Sequence, residues 1–272
     1  HQTFWLTDGN TTLEIGGVLF KLHRSRLADQ STFFAGLLDE QDVRVDDSVK
    51  VESDENGTVY HLSNTTSKDF EALLQFDRNP MVYYLTPPPF SVLAAILRAS
   101  TALGFDAHRA YAVKLLENGW SSSLADLTKD TKPHAVGVAV LGRSCGIESV
   151  LKRAFYEMVR AAGYGLGNGE LDGGDVEEIS RADERRLGRM RESLTSTWLQ
   201  VAMRLDRSLE CPNQPKGRRV HDSGLYNEYL YDPLCGLEAL IKIKWDKDEG
   251  WCTDCVQARR KVWILARQRT WQ

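Results

Sequence analysis

The chain has 272 residues, 42% of them apolar, and its 34 basic and 38 acidic side chains give a formal charge of −4. That is enough chain for one large core or two modest ones, and too little positive charge for a protein whose main partner is nucleic acid. The longest near-continuous apolar run, Phe90 to Leu97 with its neighbours, is too short to span a bilayer. No membrane partner is therefore expected, and no signal peptide is read from the N-terminal residues. The charge is uneven: residues 1–120 carry 10 basic and 16 acidic side chains, residues 121–210 carry 13 and 14, and residues 211–272 carry 11 and 8. An acidic head and a mildly basic tail suggest units with different partners.

In chain order, Leu13 and Ile15 alternate with Thr12 and Glu14, and Val18, Phe20 and Leu22 alternate with Leu19, Lys21 and His23. This period of two predicts a pair of half-buried strands joined at Gly16 and Gly17. Ser25 and Ser31 are each expected to cap a short helix. Further helices are expected over Lys68–Phe76 and within Phe90–Glu117, where Gly104 ends one, Asp106 caps the next and Gly119 stops it. Ser121 to Lys132 reads as a polar linker. Helices follow over Pro133–Cys145 and Glu148–Ala162, and then a stretch, 163–174, with six glycines. Those glycines alternate without a Gly-x-Gly-x-x-Gly and follow a helix, so a surface loop and not a phosphate cradle is expected. Leu187, Met190, Leu194, Trp198, Val201 and Leu205 recur every three or four residues, predicting a long amphipathic helix from about Arg181 to Leu209. The fold class expected is α+β, with a small N-terminal sheet flanked by helices and a mainly helical remainder.

The first segment resembles the opening of a BTB/POZ domain in its hairpin, its Phe20-x-Leu22-His23-Arg24 run and the helix pair carrying Leu27, Ala28, Ser31, Phe34, Leu37 and Leu38. Phe4, Trp5, Asp8, Gly9 and Asn10, and the run from Val92-Leu93 to Gly104-Phe105, are most similar to basidiomycete members of that family. The resemblance implies a BTB/POZ-like interaction domain over 1–120, a helical region similar to the BACK segment over 121–210, and a Cys-containing helical tail over 211–272. It also implies a protein–protein adaptor rather than an enzyme, with a second copy and a cullin-type ubiquitin-ligase scaffold as partners. Self-association in such modules implies that Trp5, Leu6, Leu27 and Phe33 form partly exposed apolar surface. Arg24 stands where many relatives have a charged pocket, but the acidic position opposite falls on Asn10, with Asp8 two residues off, so a packed His23 beside a surface Arg24 is expected. The segment Asp77–Pro89, with its Pro87-Pro88-Pro89 run, sits where a cullin would dock.

Chemistry gathers in the tail, where Cys211, Cys235, Cys252 and Cys255 hold four of the five cysteines. Cys252 and Cys255 form a Cys-x2-Cys at the start of a final helix, half of a zinc motif, which His221 or Asp254 could complete in place of one sulfur. Structural zinc, packed thiols and disulfides stay open as three readings, and Cys145 reads as a core thiol. No triad, Gly-x-Ser-x-Gly, His-Glu-x-x-His or P-loop occurs. Three sequons, at Asn10, Asn56 and Asn64, are outweighed by the odd cysteine count and the BTB resemblance, so a cytoplasmic or nuclear protein is expected. The alternative function is a nuclear DNA-associated regulator using the basic tail from Arg259 to Trp271, although its charge is small for salt-sensitive binding.

Overall fold

The computed structural model describes residues 1–39, 47–55, 57–161, 179–208, 224–248 and 251–272. The glycine-rich stretch, Cys211, His221 and the sequon asparagine Asn56 lie outside them. The protein is α+β, a four-stranded mixed sheet near the N-terminus with helices around and after it. The chain divides into two compact units, His1–Trp120 with Leu141–Val150, and Ser121–Val140 with Leu151–Gln272.

In the first unit β1 (Thr11–Ile15) and β2 (Val18–Leu22) form the expected hairpin. Both turn residues have positive φ, +56° at Gly16 and +79° at Gly17, the conformation that a two-residue type I′ hairpin turn requires. Next come α1 (Arg24–Gln30), α2 (Thr32–Leu37), β3 (Val49–Asp54) and β4 (Gly57–Leu62). The strand order is β2-β1-β4-β3, with β4 parallel to β1 and antiparallel to β3. Residues 4–6 run beside β2: Phe4 and Leu6 exchange backbone hydrogen bonds with Lys21, so this segment covers one edge of the sheet.

Leu13, Ile15, Phe20 and Leu62 are buried, as are Phe70 and Leu73 of α3 (Ser67–Arg78) and Ile96 and Leu97 of α5 (Phe90–Ala102). Phe20 meets Phe70 edge-on at 5.1 Å, and Phe34 bridges Phe70 at 6.5 Å and Phe105 at 6.1 Å. Asp69 and Arg98 pair through two hydrogen bonds of 2.8 and 3.0 Å and join α3 to α5. Between α3 and α5 lies a short α4 (Met81–Leu85), and α6 (Asp106–Gly119) packs back on α5. The corner before α6 is tight. Gly104 has φ +62°, its carbonyl accepts from the Thr32 amide at 3.0 Å, and a Cβ there would collide with Thr32 Oγ1. Gly104→Ala is expected to cost about 2–5 kcal/mol, the sum of left-handed strain and overpacking, read from urea unfolding of the first unit.

The second piece of this unit is tied on by hydrogen bonds from Arg109 Nη2 to the Cys145 carbonyl, 2.8 Å, and from Ser149 Oγ to Glu117, 2.6 Å. It includes the end of α7 (Ala135–Ser144) and a 3-10 turn, Glu148–Val150. The second unit holds α8 (Leu151–Arg160), α9 (Arg181–Ser208), α10 (Leu225–Glu228), α11 (Pro233–Lys242), α12 (Trp245–Asp248) and α13 (Thr253–Trp271). Its core is built on α8, which is buried nearly all round, with Leu187, Leu194 and Trp198 of α9 and Leu234, Leu237 and Leu240 of α11 also buried. Among the described residues no helix is long and apolar enough to cross a membrane.

Candidate functional site

The first helix shows how distant residues set up the surface. Ser31 Oγ caps α2 by accepting from the Phe34 amide at 2.9 Å and donates to the Leu103 carbonyl at 2.5 Å. Ser25 lies inside α1 and does not cap it. The Arg24 amide at its start is instead taken by Asn10 Oδ1 at 2.8 Å, a cap lent from 14 residues upstream. The Arg24 side chain turns to the Leu38 carbonyl, and His23 faces Asp8 at 3.5 Å, so Asn10 meets the backbone of Arg24. Trp5 is 47% exposed with the Lys21 ammonium 6.0 Å from its ring, and Leu6 and Phe33 are half-buried. Leu27, expected at the surface, is only 4% exposed, because it sits on the inward side of α1, the side that docks on the core. Of the sequon asparagines, Asn64 donates to the Ala102 carbonyl at 3.2 Å, so it and Asn10 both have internal roles.

Within the proline-rich segment, the residues after Pro80 form α4 and expose a row of apolar side chains, Met81 by 63%, Val82 by 53% and Leu85 by 81%. This helix is anchored. Tyr83 packs on Phe76 at 5.7 Å, Tyr111 stacks on the same ring at 5.0 Å, and the Tyr111 hydroxyl donates to the Tyr83 carbonyl at 3.1 Å. Nearby, Asp77 receives Arg26 at 2.7 Å, Gln30 at 2.9 Å and His108 at 3.4 Å. Burial alone would raise the Asp77 pKa, but His108, Arg26 and Gln30 together outweigh it and hold the carboxyl below its ordinary 3.8. A carboxyl whose pKa is depressed by folding adds stability above its unfolded value and loses it as pH falls through the folded one. The stability gap between the wild type and Asp77→Asn is therefore expected to be full at neutral pH and to shrink below pH 3.8, measured by urea titration at each pH.

The second unit encloses a network of charge. Arg153 and Arg160 are each 1% exposed at the side chain and Glu157 0%, and Asp232 completes a neutral set of two guanidiniums and two carboxylates. Arg160 donates to Glu157, to Asp232 at 2.8 Å, and to the carbonyls of Thr128 and Asp130, each at 2.7 Å. Arg153 bonds Glu157 at 2.8 Å and the Asp126 carbonyl at 3.1 Å. Asp232 also caps α11 through the Cys235 amide at 3.1 Å and accepts from the Tyr156 hydroxyl at 2.5 Å. Burial, followed by that carboxylate, pushes the Tyr156 pKa well up. The set pins the segment after Ser121 by its backbone.

Cys235 belongs to this network. Its thiol donates to the Thr128 carbonyl at 3.5 Å and meets Arg160 Nη1 at 3.6 Å. Burial, with Asp232 beside it, pushes the thiol up to about 12. In this structure the Cys235 thiol is a buried partner of the network. Cys252 and Cys255 sit at the start of α13 as expected, yet among the described residues no three His, Cys, Asp or Glu side chains come together to hold a metal. The same segment is rich in aromatic packing. Trp245 stacks on Trp251 at 4.6 Å and lies 5.7 Å from Trp263. The basic tail is partly turned inward as well. Arg260 bonds the Ile241 and Ile243 carbonyls at the end of α11, and Arg267 bonds Glu238 and the Leu234 carbonyl. No family model matches the chain, and no curated protein matches it.

Proposed function

We propose that the protein is a non-enzymatic adaptor of the cytoplasm or nucleus whose first unit is BTB/POZ-like and docks a cullin-type scaffold through α4. The observation that carries this reading is the row Met81, Val82 and Leu85, three exposed apolar side chains on five residues. Single exposed apolar residues are ordinary. A fixed row of them, held by Tyr83, Phe76 and Tyr111, marks a partner surface. The order of hairpin, paired short helices, α3 and the α5–α6 pair supports the family resemblance. Trp5 and the exposed Leu19 of β2 supply a second apolar surface, assigned to self-association.

The test is binding of the full chain to a cullin N-terminal domain by surface plasmon resonance. Met81→Asp with Leu85→Asp is expected to weaken binding at least a hundredfold, about 2.7 kcal/mol or more, with an unchanged unfolding midpoint. If the wild type ignores the cullin, the ubiquitin-ligase role is lost. If light scattering shows a strict monomer at high concentration, self-association goes with it.

A further inference from the structure

The first unit contains a cavity of about 230 Å3 whose walls are Phe4, Leu6, Leu22, Leu27, Leu74 and Phe105. It lies between the segment leading into the sheet, α1 and α3, and involves none of the α4 side chains assigned to docking. An apolar chamber of about 150 Å3 takes up benzene, so this one has room for a fused pair of rings or an acyl chain of about eight carbons.

Its polar lining sets the charge of a guest. Asp77 has both carboxylate oxygens occupied, by Gln30 and His108 on one and Arg26 on the other. His23 is engaged by Asp8. Arg78, at the exposed end of α3, makes no hydrogen bond or ion pair with any described residue. The rim thus presents one uncommitted guanidinium, with the exposed Arg26 also on the lining, beside a carboxylate that is already satisfied. An amine would meet positive charge there, whereas a carboxylate would gain a charge-assisted hydrogen bond.

We propose that this cavity binds an apolar monocarboxylate, its ring or chain among the six apolar side chains and its carboxylate on Arg78, with Arg26 as the second donor. The site is independent of the docking surface, so either can fail alone.

Titration calorimetry of the full chain with 2-naphthylacetate tests it, and one site with Kd on the order of 10–100 µM is expected for a ligand of that size. Arg78→Gln, a change at an exposed position, should weaken the acid about tenfold and leave the uncharged 2-naphthylethanol unaffected. The amine 2-naphthylethylamine should bind at least about tenfold more weakly than the acid. Leu6→Trp, which fills the chamber from a half-buried position, should abolish binding of both acid and alcohol. No binding of the acid at 1 mM (roughly ten times the weakest Kd expected), equal binding of acid and amine, or an acid affinity unmoved by Arg78→Gln would each overturn the proposal.

Discussion

Arg160→Met lowers the stability of the second unit by about 3–5 kcal/mol, the cost of removing one partner from a buried ionic set. The substitution keeps the volume close and deletes the charge, so Glu157 at 0% side-chain exposure keeps only Arg153 and the Lys132 amide, and Asp232 only the Tyr156 hydroxyl and the Cys235 amide. The Thr128 and Asp130 carbonyls lose their guanidinium donor as well. Arg153→Met should cost less. Arg153 Nη2 is already buried without a hydrogen-bond partner, so deleting that side chain also removes an unsatisfied donor. Five of the seven tryptophans, Trp198, Trp245, Trp251, Trp263 and Trp271, lie in the second unit, so intrinsic fluorescence in urea reports this transition. Equal losses for the two arginine variants would show that the network acts as bulk packing and not through its particular pairs.

Trp198→Ala is expected to cost about 3–5 kcal/mol, as a fully buried aromatic side chain is lost together with its cavity. Trp198 stands on Gly236 of α11, and its indole nitrogen donates to the Tyr226 carbonyl at 2.9 Å. A Cβ at position 236 would lie 2.6 Å from two indole carbons and 2.8 Å from Tyr229 Cβ. Gly236→Ala alone therefore destabilises by about 1–3 kcal/mol through overpacking. Once Trp198 has been truncated, the same change should cost less, because only the contact with Tyr229 Cβ then remains. A double-mutant cycle by urea unfolding gives the answer directly, and an unchanged cost would mean that the indole is not what excludes a side chain at 236.

The strongest periodic signals in the sequence became structure almost residue for residue. The hairpin of β1 and β2 followed strict alternation, and α9, expected from Arg181, begins there because its apolar stripe is long enough to dominate local preferences. β3 and β4 were not read, since Val49–Asp54 and Gly57–Leu62 are short and mixed in polarity; β4 pairs with β1, which lies far from it in sequence, and β3 pairs with β4. α4 went unread for a related reason, being five apolar residues between prolines, too short for a period to appear. Asp106, expected as a cap, is the first residue of α6, with Phe105 at the cap position. The buried network was missed because Arg153, Glu157 and Arg160 look like an ordinary charged face. Their spacing of four and three puts them on one side of α8, but only tertiary packing shows that this side is inside. In the tail the packing of Trp245 on Trp251 and near Trp263 was not legible, because it depends on tertiary structure.

The division of the chain has a consequence for how the protein is made. The sequence passes between its two units three times, after residues 120, 140 and 150. When Trp120 has been synthesised, the first unit still lacks the Cys145 carbonyl that Arg109 holds and the Ser149 hydroxyl that Glu117 holds. At ordinary translation rates those residues follow roughly 1.5–6 s later, and until then the surface that will receive them is open to chaperones. For the same reason, one proteolytic nick between 121 and 132 cannot release two whole units, since the piece that completes the first would leave with the second.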